Sequence, residues 1–310
     1  MPLPKKVTLV EVGPRDGLQN EPQNVPTHLK IEFINQLSQS GLSVIEATSF
    51  VSPKWVPQMA DHQKVMEGIT RNPSVRYTAL VPNEQGFDDA LDAHISEVSV
   101  FTAASEIFSQ KNTNCSIEES LNRIARVIER AKKNNLAVRG YVSCVLGCPY
   151  EGEIAPHQVL TVAERLINLG CYQISLGDTI GIGTPLKAQQ LINVISSKIP
   201  IEKIAVHFHD TYAQALTNIY VSLEKGVSTI DSAVAGLGGC PYAPGAGGNV
   251  TTEDVVYLLN GMKIECGVDL KRLTRAGRLI CDYLGRPSRS KVAIALASRD
   301  QNFSTKRQSD

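Results

Sequence analysis

The sequence has neither a net charge nor a long apolar run. Thirty-one basic residues balance 31 acidic ones, so no overall field favours nucleic acid or an anionic membrane as a partner. No apolar stretch approaches the roughly 20 residues that span a bilayer. Neither a signal-peptide core nor an Arg-rich transit helix precedes Val7. These absences predict a cytoplasmic chain with no nucleic-acid partner and no membrane partner.

The cysteines lack the pattern of a disulfide framework. Their number is odd, seven in 310 residues, and they are scattered at Cys115, Cys144, Cys148, Cys171, Cys240, Cys266 and Cys281. Cys144 and Cys148 lie close together, but no second pair has the spacing of a zinc site. A reducing compartment is therefore the simpler expectation.

What the sequence does have is a regular alternation of short apolar runs and helical patterns. The runs that predict strands are Val7–Val12, Val44–Thr48, Arg76–Val81, Glu97–Phe101, Val138–Val145, Gln173–Leu176, Ile204–Phe208 and Thr229–Val234. The amphipathic stretches between them include Leu29–Ser40, Ile117–Asn134, Gln158–Leu169, Pro185–Ile199 and Ala213–Lys225. Gly41, Gly170 and Gly226 follow three of these stretches, where helices often end.

Eight strand–helix units predict an α/β fold, a (β/α)8 TIM barrel in a single domain. The length suits one large α/β domain or two small ones, and a barrel takes about 250 residues. The main alternative is a Rossmann-type sheet, which should carry Gly-x-Gly-x-x-Gly after an early strand. This chain instead has Gly13-Pro-Arg-Asp-Gly-Leu-Gln there. We expect the catalytic barrel to span 1–298 and the polar residues 299–310 to form a flexible tail.

The unusual polar residues lie at or near the carboxyl ends of the predicted strands, where such barrels carry their reactive groups. These residues are Arg15 and Asp16 after strand 1, Glu46 in strand 2, Asp178 at the end of strand 6, His207 and His209 at the end of strand 7, and Cys240 and Asn249 after strand 8. Each alone has a structural explanation. Together they predict an active site at one mouth of the barrel.

The pair His207-Phe-His209 indicates a metal site, because alternate side chains of a strand point to the same face. The alternative is a hydrogen-bonded pair of core histidines. Asp16 is the natural carboxylate ligand, although an Arg-Asp-Gly turn is also common at surfaces. Asn249 could add an amide oxygen as a fourth ligand, or its role could be limited to the turn Gly247-Gly248-Asn249. Such ligands with open positions suit Mg²⁺ or Mn²⁺ better than a closed, thiolate-rich zinc site.

The segment from Gly236 to Asn249 is rich in glycine and proline, which is typical of a mobile lid. Cys240 lies within it. A cysteine has an ordinary pKa near 8.5 and can deliver a proton to a carbanion at neutral pH. The alternative is that Cys240 is an inert residue that packs the loop.

Five long motifs resemble the 3-hydroxy-3-methylglutaryl-CoA lyase family. They are Val10-Glu-Val-Gly-Pro-Arg-Asp-Gly-Leu-Gln-Asn-Glu21, the second-strand motif Ile45–Met59, Gly140-Tyr-Val-Ser-Cys-Val-Leu-Gly-Cys-Pro-Tyr150, Val206-His-Phe-His-Asp-Thr-Tyr212 and the stretch Gly236–Asn249. The resemblance runs from about Val7 to Ser290. Because the motifs are long and contiguous, they are far more specific than a lone His-x-His.

The resemblance implies a barrel enzyme that cleaves 3-hydroxy-3-methylglutaryl-CoA into acetoacetate and acetyl-CoA with Mg²⁺ or Mn²⁺, as in leucine degradation. We expect the chain to form a homodimer. Asp16, His207, His209 and Asn249 would bind the metal. Arg15 and Cys240 would be catalytic, Glu46 and Asp178 would support the site, and either His207 or Asp178 would act as the base. Asn112 and Ser116 would lie near the pantetheine arm of the acyl-CoA substrate.

The chain departs from the family pattern at two places. The lid reads Gly245-Ala-Gly-Gly-Asn249 where the family has Gly-Ala-Ser-Gly-Asn, and Ala213 replaces a common glycine. Three alternatives to this lyase stay open: a lyase for another 3-hydroxyacyl-CoA, a related synthase that runs a Claisen condensation, and a non-catalytic metal- or CoA-binding barrel.

Overall fold

A closed barrel of eight parallel strands forms the centre of the molecule, as seen in a computed structural model that describes residues 3–239 and 247–306. The strands are β1 (Thr8–Glu11), β2 (Val44–Ser49), β3 (Arg76–Leu80), β4 (Glu97–Ala103), β5 (Ala137–Ser143), β6 (Gln173–Asp178), β7 (Ile204–Phe208) and β8 (Thr229–Ser232). Each strand pairs with the next along the chain, and β8 closes on β1. The predicted fold is confirmed, and every predicted strand end lies within two residues of its observed position.

Helices surround the barrel. They are α1 (Thr27–Ser38), α2 (His62–Gly68), α3 (Glu84–Asp92), α4 (Glu106–Thr113), α5 (Ile117–Lys133), α6 (Pro156–Leu169), α7 (Pro185–Ser196), α8 (Ala215–Glu224), α9 (Thr252–Gly261), α10 (Leu270–Leu284) and α11 (Lys291–Lys306). Local chemistry sets their ends: Ser116 and Glu119 form a reciprocal capping box at the start of α5. Gly285, in the left-handed conformation, ends α10.

The two faces of the strands differ in chemistry. Along β5, the side chains of Arg139 and Tyr141 reach Asp231 on β8 and Glu46 on β2, so they point into the barrel. The alternate residues Val138 and Val142 belong to the apolar cluster between strands and helices. The apolar core is therefore a layer around the barrel, whereas this part of the interior holds charged groups.

The last helix continues past the predicted domain boundary. Its backbone is helical from Lys291 to Lys306, so the predicted tail 299–310 begins inside α11 and not after it. The stretch contains neither glycine nor proline, and nothing in it interrupts helix propagation. Flexibility of 299–310 stays a prediction. No described helix is long and apolar enough to cross a membrane, and no disulfide joins the six described cysteines.

Gly41 provides a test of the packing between α1 and the segment before α10. Its φ is +91°, and a Cβ there would lie 2.1 Å from the carbonyl oxygen of Gly267. We expect Gly41→Ala to lower the free energy of unfolding by roughly 2–4 kcal/mol, from backbone strain and overpacking, as measured by urea denaturation. Gly261→Ala is the control, because a Cβ there meets no atom within 4 Å. Equal stability of the two variants would contradict the expectation.

Candidate active site

The turn after β1 carries Arg15 and Asp16 to the mouth of the barrel. The chain makes one π-helical turn over Gly13–Gly17. The buried carboxylate of Glu11 fixes this turn, since it accepts hydrogen bonds from the backbone N–H groups of Gly13 (2.8 Å) and Val234 (2.9 Å). One carboxylate therefore ties the turn after β1 to the segment after β8.

Two imidazoles from the end of β7 face the Asp16 carboxylate. The rings of His207 and His209 lie on one side of the chain, with centroids 5.4 Å apart. Oδ2 of Asp16 is 3.7 Å from Nε2 of His207 and 4.0 Å from Nε2 of His209. One candidate ligand atom from each of the three residues lies within 4.8 Å of the others. The structure thus brings together three residues that the sequence predicts to share a site.

Asn249 completes the group. Its Nδ2 donates to Asp16 Oδ2 (2.9 Å) and to the carbonyl oxygen of Leu237 (3.2 Å). These two acceptors orient the amide, so Oδ1 points the other way. That oxygen is buried and has no hydrogen-bond partner among the residues that the structure describes. A buried acceptor without a partner is costly, and a metal ion at this position would remove the cost.

The donor set fits a divalent cation. It comprises one carboxylate, two imidazoles and an amide oxygen without a partner, and the described part of the site contributes no thiolate. Oxygen and imidazole ligands without a thiolate suit hard or borderline ions. Burial, and then the neighbouring His207, lower the pKa of His209 to about 4, so its ring is neutral at pH 7 and can bind a metal.

Arg15 keeps Asp16 charged. Burial opposes ionisation, but the guanidinium of Arg15, with Nη1 2.7 Å from Oδ1, and the two imidazoles hold the pKa of the Asp16 carboxyl well below its usual range. Arg15 Nε donates to Glu46 Oε2 at 2.6 Å, and Tyr141 donates its hydroxyl to the other oxygen of Glu46 at 3.2 Å. Two carboxylates therefore hold the guanidinium plane in one orientation.

A buried ion pair lies beneath the imidazoles, and the sequence did not reveal it. Arg139 donates through Nη1 and Nη2 to both oxygens of Asp231, at 3.0 and 2.8 Å. Oδ2 of Asp231 lies 3.3 Å from Nδ1 of His207 and also accepts from Ser175 at 2.7 Å. A charged residue inside each strand pattern was the available signal, but it did not identify the partner. The pair directs His207 Nε2 toward Asp16.

The same contacts set the charges beneath the site. Burial disfavours the ionised form of Asp231, but Arg139 and then His207 lower the pKa of this carboxyl to about 2. Burial would lower the pKa of His207, but its hydrogen bond to Asp231 and the negative charge of Asp16 raise it overall. A carboxylate, an imidazole and a second carboxylate therefore form one continuous polar chain.

Asp178 ends β6 beside β7, where the charge of His207 acts on its carboxyl, whereas the predicted CoA contacts belong to α4 and to the start of α5. Oδ2 of Asp178 accepts from the backbone N–H of Gly183 at 2.8 Å, and burial raises the pKa of this carboxyl to about 6. Asn112 is exposed on α4, whereas the hydroxyl of Ser116 caps α5. Cys240 lies outside the described residues. Its role and those of Asn112 and Ser116 stay predictions.

Comparison with known proteins agrees with this geometry. A family model described as HMGL-like matches residues 6–280. The mouse mitochondrial hydroxymethylglutaryl-CoA lyase is 58% identical over 293 residues, which cover 94% of this chain and 90% of the mouse protein. The crystal structure of hydroxymethylglutaryl-CoA lyase from Pseudomonas aeruginosa is 56% identical with a TM-score of 0.95, covering 96% of this chain and 100% of that chain. The structure of an HMG-CoA lyase from Acinetobacter baumannii in complex with coenzyme A and 3-methylmalate is 37% identical, with a TM-score of 0.90. The match covers 94% of this chain and 95% of that chain.

Asp231→Asn tests the chain of contacts beneath His207. Loss of the charge should weaken Mn²⁺ binding by about 10–100-fold, because outer partners of a ligating histidine fix its ring and tautomer. The free energy of unfolding should also fall, since Arg139 keeps its charge without its partner. Mn²⁺ binding is measured by electron paramagnetic resonance on protein shown to be folded by circular dichroism. Ser175→Ala, which removes one neutral hydrogen bond to the same carboxylate, should bind Mn²⁺ normally; equal affinities in the two variants would refute the role of Asp231.

Proposed function

The chain belongs to the HMGL-like family, and from that premise we propose that it is a carbon–carbon lyase that cleaves 3-hydroxy-3-methylglutaryl-CoA into acetoacetate and acetyl-CoA. The observation that carries the proposal is the convergence of Asp16, His207, His209 and Asn249 beside a rigidly held Arg15. A metal-assisted cleavage needs these two elements next to each other.

The substrate class is supported by the relatives. The mouse protein and the P. aeruginosa structure are both named as lyases of hydroxymethylglutaryl-CoA, and the A. baumannii enzyme binds coenzyme A together with 3-methylmalate. The latter pair is a thiol carrier and a small hydroxy dicarboxylate bound in one complex. An acyl-CoA whose acyl group carries a hydroxyl and a distal carboxylate combines the same groups.

The cofactor proposed here is Mg²⁺ or Mn²⁺, held by Asp16, His207, His209 and Asn249. When bound, such an ion supplies Lewis-acid polarisation of a substrate oxygen. The unpartnered Oδ1 of Asn249 and the neutral ring of His209 support this choice. Ordered geometry before substrate arrives reduces the cost of orienting the reacting groups.

Arg15 is the proposed stabiliser of negative charge on the thioester oxygen as the acetyl-CoA enolate forms. Its Nε and Nη1 are engaged by Glu46 and Asp16, and Nη2 has no hydrogen-bond partner in the described part of the chain. A fixed donor of this kind stabilises charge without reorganising during the reaction. Glu46 acts by holding Arg15.

Proton transfer requires a base and an acid. Asp178 and His207 are the proposed candidates for removing the proton from the C3 hydroxyl. Burial raises the pKa of Asp178 to about 6, which brings its affinity for a proton close to that needed near neutral pH. Cys240 is the proposed donor to the enolate carbon, and Asn112 and Ser116 are the proposed contacts of the pantetheine arm.

Three further properties belong to the same proposal. We expect a homodimer, a cytoplasmic location and a place in leucine degradation. Relatives named as mitochondrial and as cytoplasmic both occur at 57–59% identity, so similarity alone leaves the compartment open. The balanced charge of the chain agrees with the absence of a nucleic-acid partner.

The direct experiment is an assay with 3-hydroxy-3-methylglutaryl-CoA and Mg²⁺, in which acetoacetate is measured by NADH-coupled reduction. Acetoacetate and acetyl-CoA should form in equal amounts, EDTA should stop the reaction, and added Mn²⁺ should restore it. The condensation alternative is tested in parallel with acetyl-CoA and a 2-oxo acid, which should release no free CoA. Condensation without cleavage would overturn the proposal.

Arg15→Lys tests the role of the guanidinium. A single ammonium group keeps the charge but cannot hold the two carboxylates and face the substrate with a planar fork. We expect kcat to fall by about 10²–10³-fold with little change in KM, as for loss of one preorganised donor. Arg76→Lys is the control, because Arg76 begins β3 at the opposite end of the barrel and is half exposed. An effect on KM alone would contradict the enolate role.

A further inference from the structure

Arg289 connects the C-terminal segment to the mouth of the barrel. It lies between α10 and α11, and its guanidinium reaches back to the segment that follows β8. Nη1 donates to the carbonyl oxygens of Gly236 (3.2 Å) and Gly238 (2.7 Å). The backbone N–H of Arg289 donates to the carbonyl oxygen of Ala235 at 3.1 Å. Arg289 therefore binds three carbonyl groups within positions 235–238, two of them at the start of the segment that sequence analysis assigned to the lid.

The returning segment packs against the same contacts. A Cβ at Gly248 would lie 2.6 Å from the carbonyl oxygens of Gly236 and Gly238, and 2.8 Å from Nη1 of Arg289. Only glycine allows so close an approach. The guanidinium of Arg289 and Gly248 therefore contact the same two carbonyl groups. These contacts hold the stretch that begins at Gly236 against the stretch around Gly248.

The held backbone orients a predicted metal ligand. Leu237, between the two carbonyl groups that Arg289 binds, accepts a hydrogen bond from Asn249 Nδ2 at 3.2 Å. The same Nδ2 donates to Asp16, so the position of the Leu237 carbonyl helps to set where Asn249 Oδ1 points. The segment is also fixed to the turn after β7, since Asp210 N–H donates to the Gly248 carbonyl at 3.0 Å.

An ion pair between Arg286 and Glu21 also supports this arrangement. Arg286 Nη2 lies 2.5 Å from Glu21 Oε1, and the same oxygen accepts from the backbone N–H of Gly238 at 3.2 Å. The carboxylate of Glu21 therefore accepts from the backbone N–H of Gly238, and Arg289 donates to the backbone carbonyl of Gly238. Side chains thus fix both backbone polar groups of Gly238.

We propose that Arg289 is a positioning residue for the metal centre, acting through Gly236, Gly238 and Leu237 on the amide of Asn249. The inference rests on the proposed function, because it assigns Arg289 to the same metal centre. It adds a residue about 40 positions downstream of the last predicted ligand, in a connection between two outer helices.

The test measures Mn²⁺ binding to the full chain by electron paramagnetic resonance. Arg289→Ala should weaken Mn²⁺ binding by about tenfold, the lower end of the range for outer-shell changes. Arg289→Lys should recover part of the loss, since an ammonium group can still donate to the Gly238 carbonyl. Arg278→Ala is the matched control, because Arg278 lies on exposed α10 surface with 81% of its side chain accessible; it should bind Mn²⁺ as the unaltered chain does.

A double-mutant cycle separates positioning from general destabilisation. If Arg289 acts through Asn249, Arg289→Ala should change Mn²⁺ affinity less than twofold in a chain that already carries Asn249→Ala. A loss of tenfold in both backgrounds would show that Arg289 acts by another route and would overturn the inference. Normal Mn²⁺ affinity of the single variant Arg289→Ala, in which Asn249 is unaltered, would also overturn it.

The failures of the two proposals have different signatures. If the unaltered chain binds no Mn²⁺, the proposed metal centre is wrong. If the unaltered chain binds Mn²⁺ and Asn249→Ala binds it more weakly, but Arg289→Ala binds it normally, only the role of Arg289 is wrong. Thermal unfolding of each variant is recorded alongside, and the cycle is read only from variants that are folded at the assay temperature.

Discussion

The charge on the Asp16 carboxylate is the interaction on which the rest of the site depends. Its two oxygens face Arg15, Asn249 and the rings of both histidines. Arg15 and Asp16 follow the first strand of the barrel, whereas the histidines lie at the end of β7 and Asn249 follows β8. A neutral carboxyl would lose its ion pair with Arg15, and the guanidinium would then be fixed only by Glu46. The closed barrel makes the convergence possible, because pairing of β8 with β1 brings residues more than 200 positions apart into one mouth.

Charge balance explains why the site favours a cation. Two buried carboxylates, Glu46 and Asp231, and the partly buried carboxylate of Asp16 face two guanidinium groups, those of Arg15 and Arg139. Buried charges are tolerated only when they are paired and hydrogen bonded. A divalent ion beside Asp16 would offset the excess negative charge, and a bond to the amide oxygen of Asn249 would satisfy that buried acceptor. The ion pair of Arg139 and Asp231 extends this network of paired charges into the interior of the barrel.

Much of this could be predicted from the sequence because the signals were local. Alternating apolar runs gave the eight strands, and two histidines two residues apart on β7 had to share a face. Asp231 and Arg139 were not identified as partners, because their encounter depends on barrel closure between β5 and β8 and leaves no trace in either strand alone. Arg289 was missed for a related reason: it stands in a short polar connection of the kind that usually lies at the surface. Polar composition predicts a tail from residue 299, whereas the backbone of α11 is helical to Lys306, in a stretch without a helix-breaking residue.

The most direct test of the central claim is the anomalous diffraction of crystals grown with Mn²⁺. We expect one strong peak per chain, about 2.0–2.2 Å from an oxygen of Asp16, the Nε2 atoms of His207 and His209, and Oδ1 of Asn249, as short metal–ligand bonds require. A peak bound by other residues, or no peak in this mouth at a saturating concentration, would contradict the proposed centre.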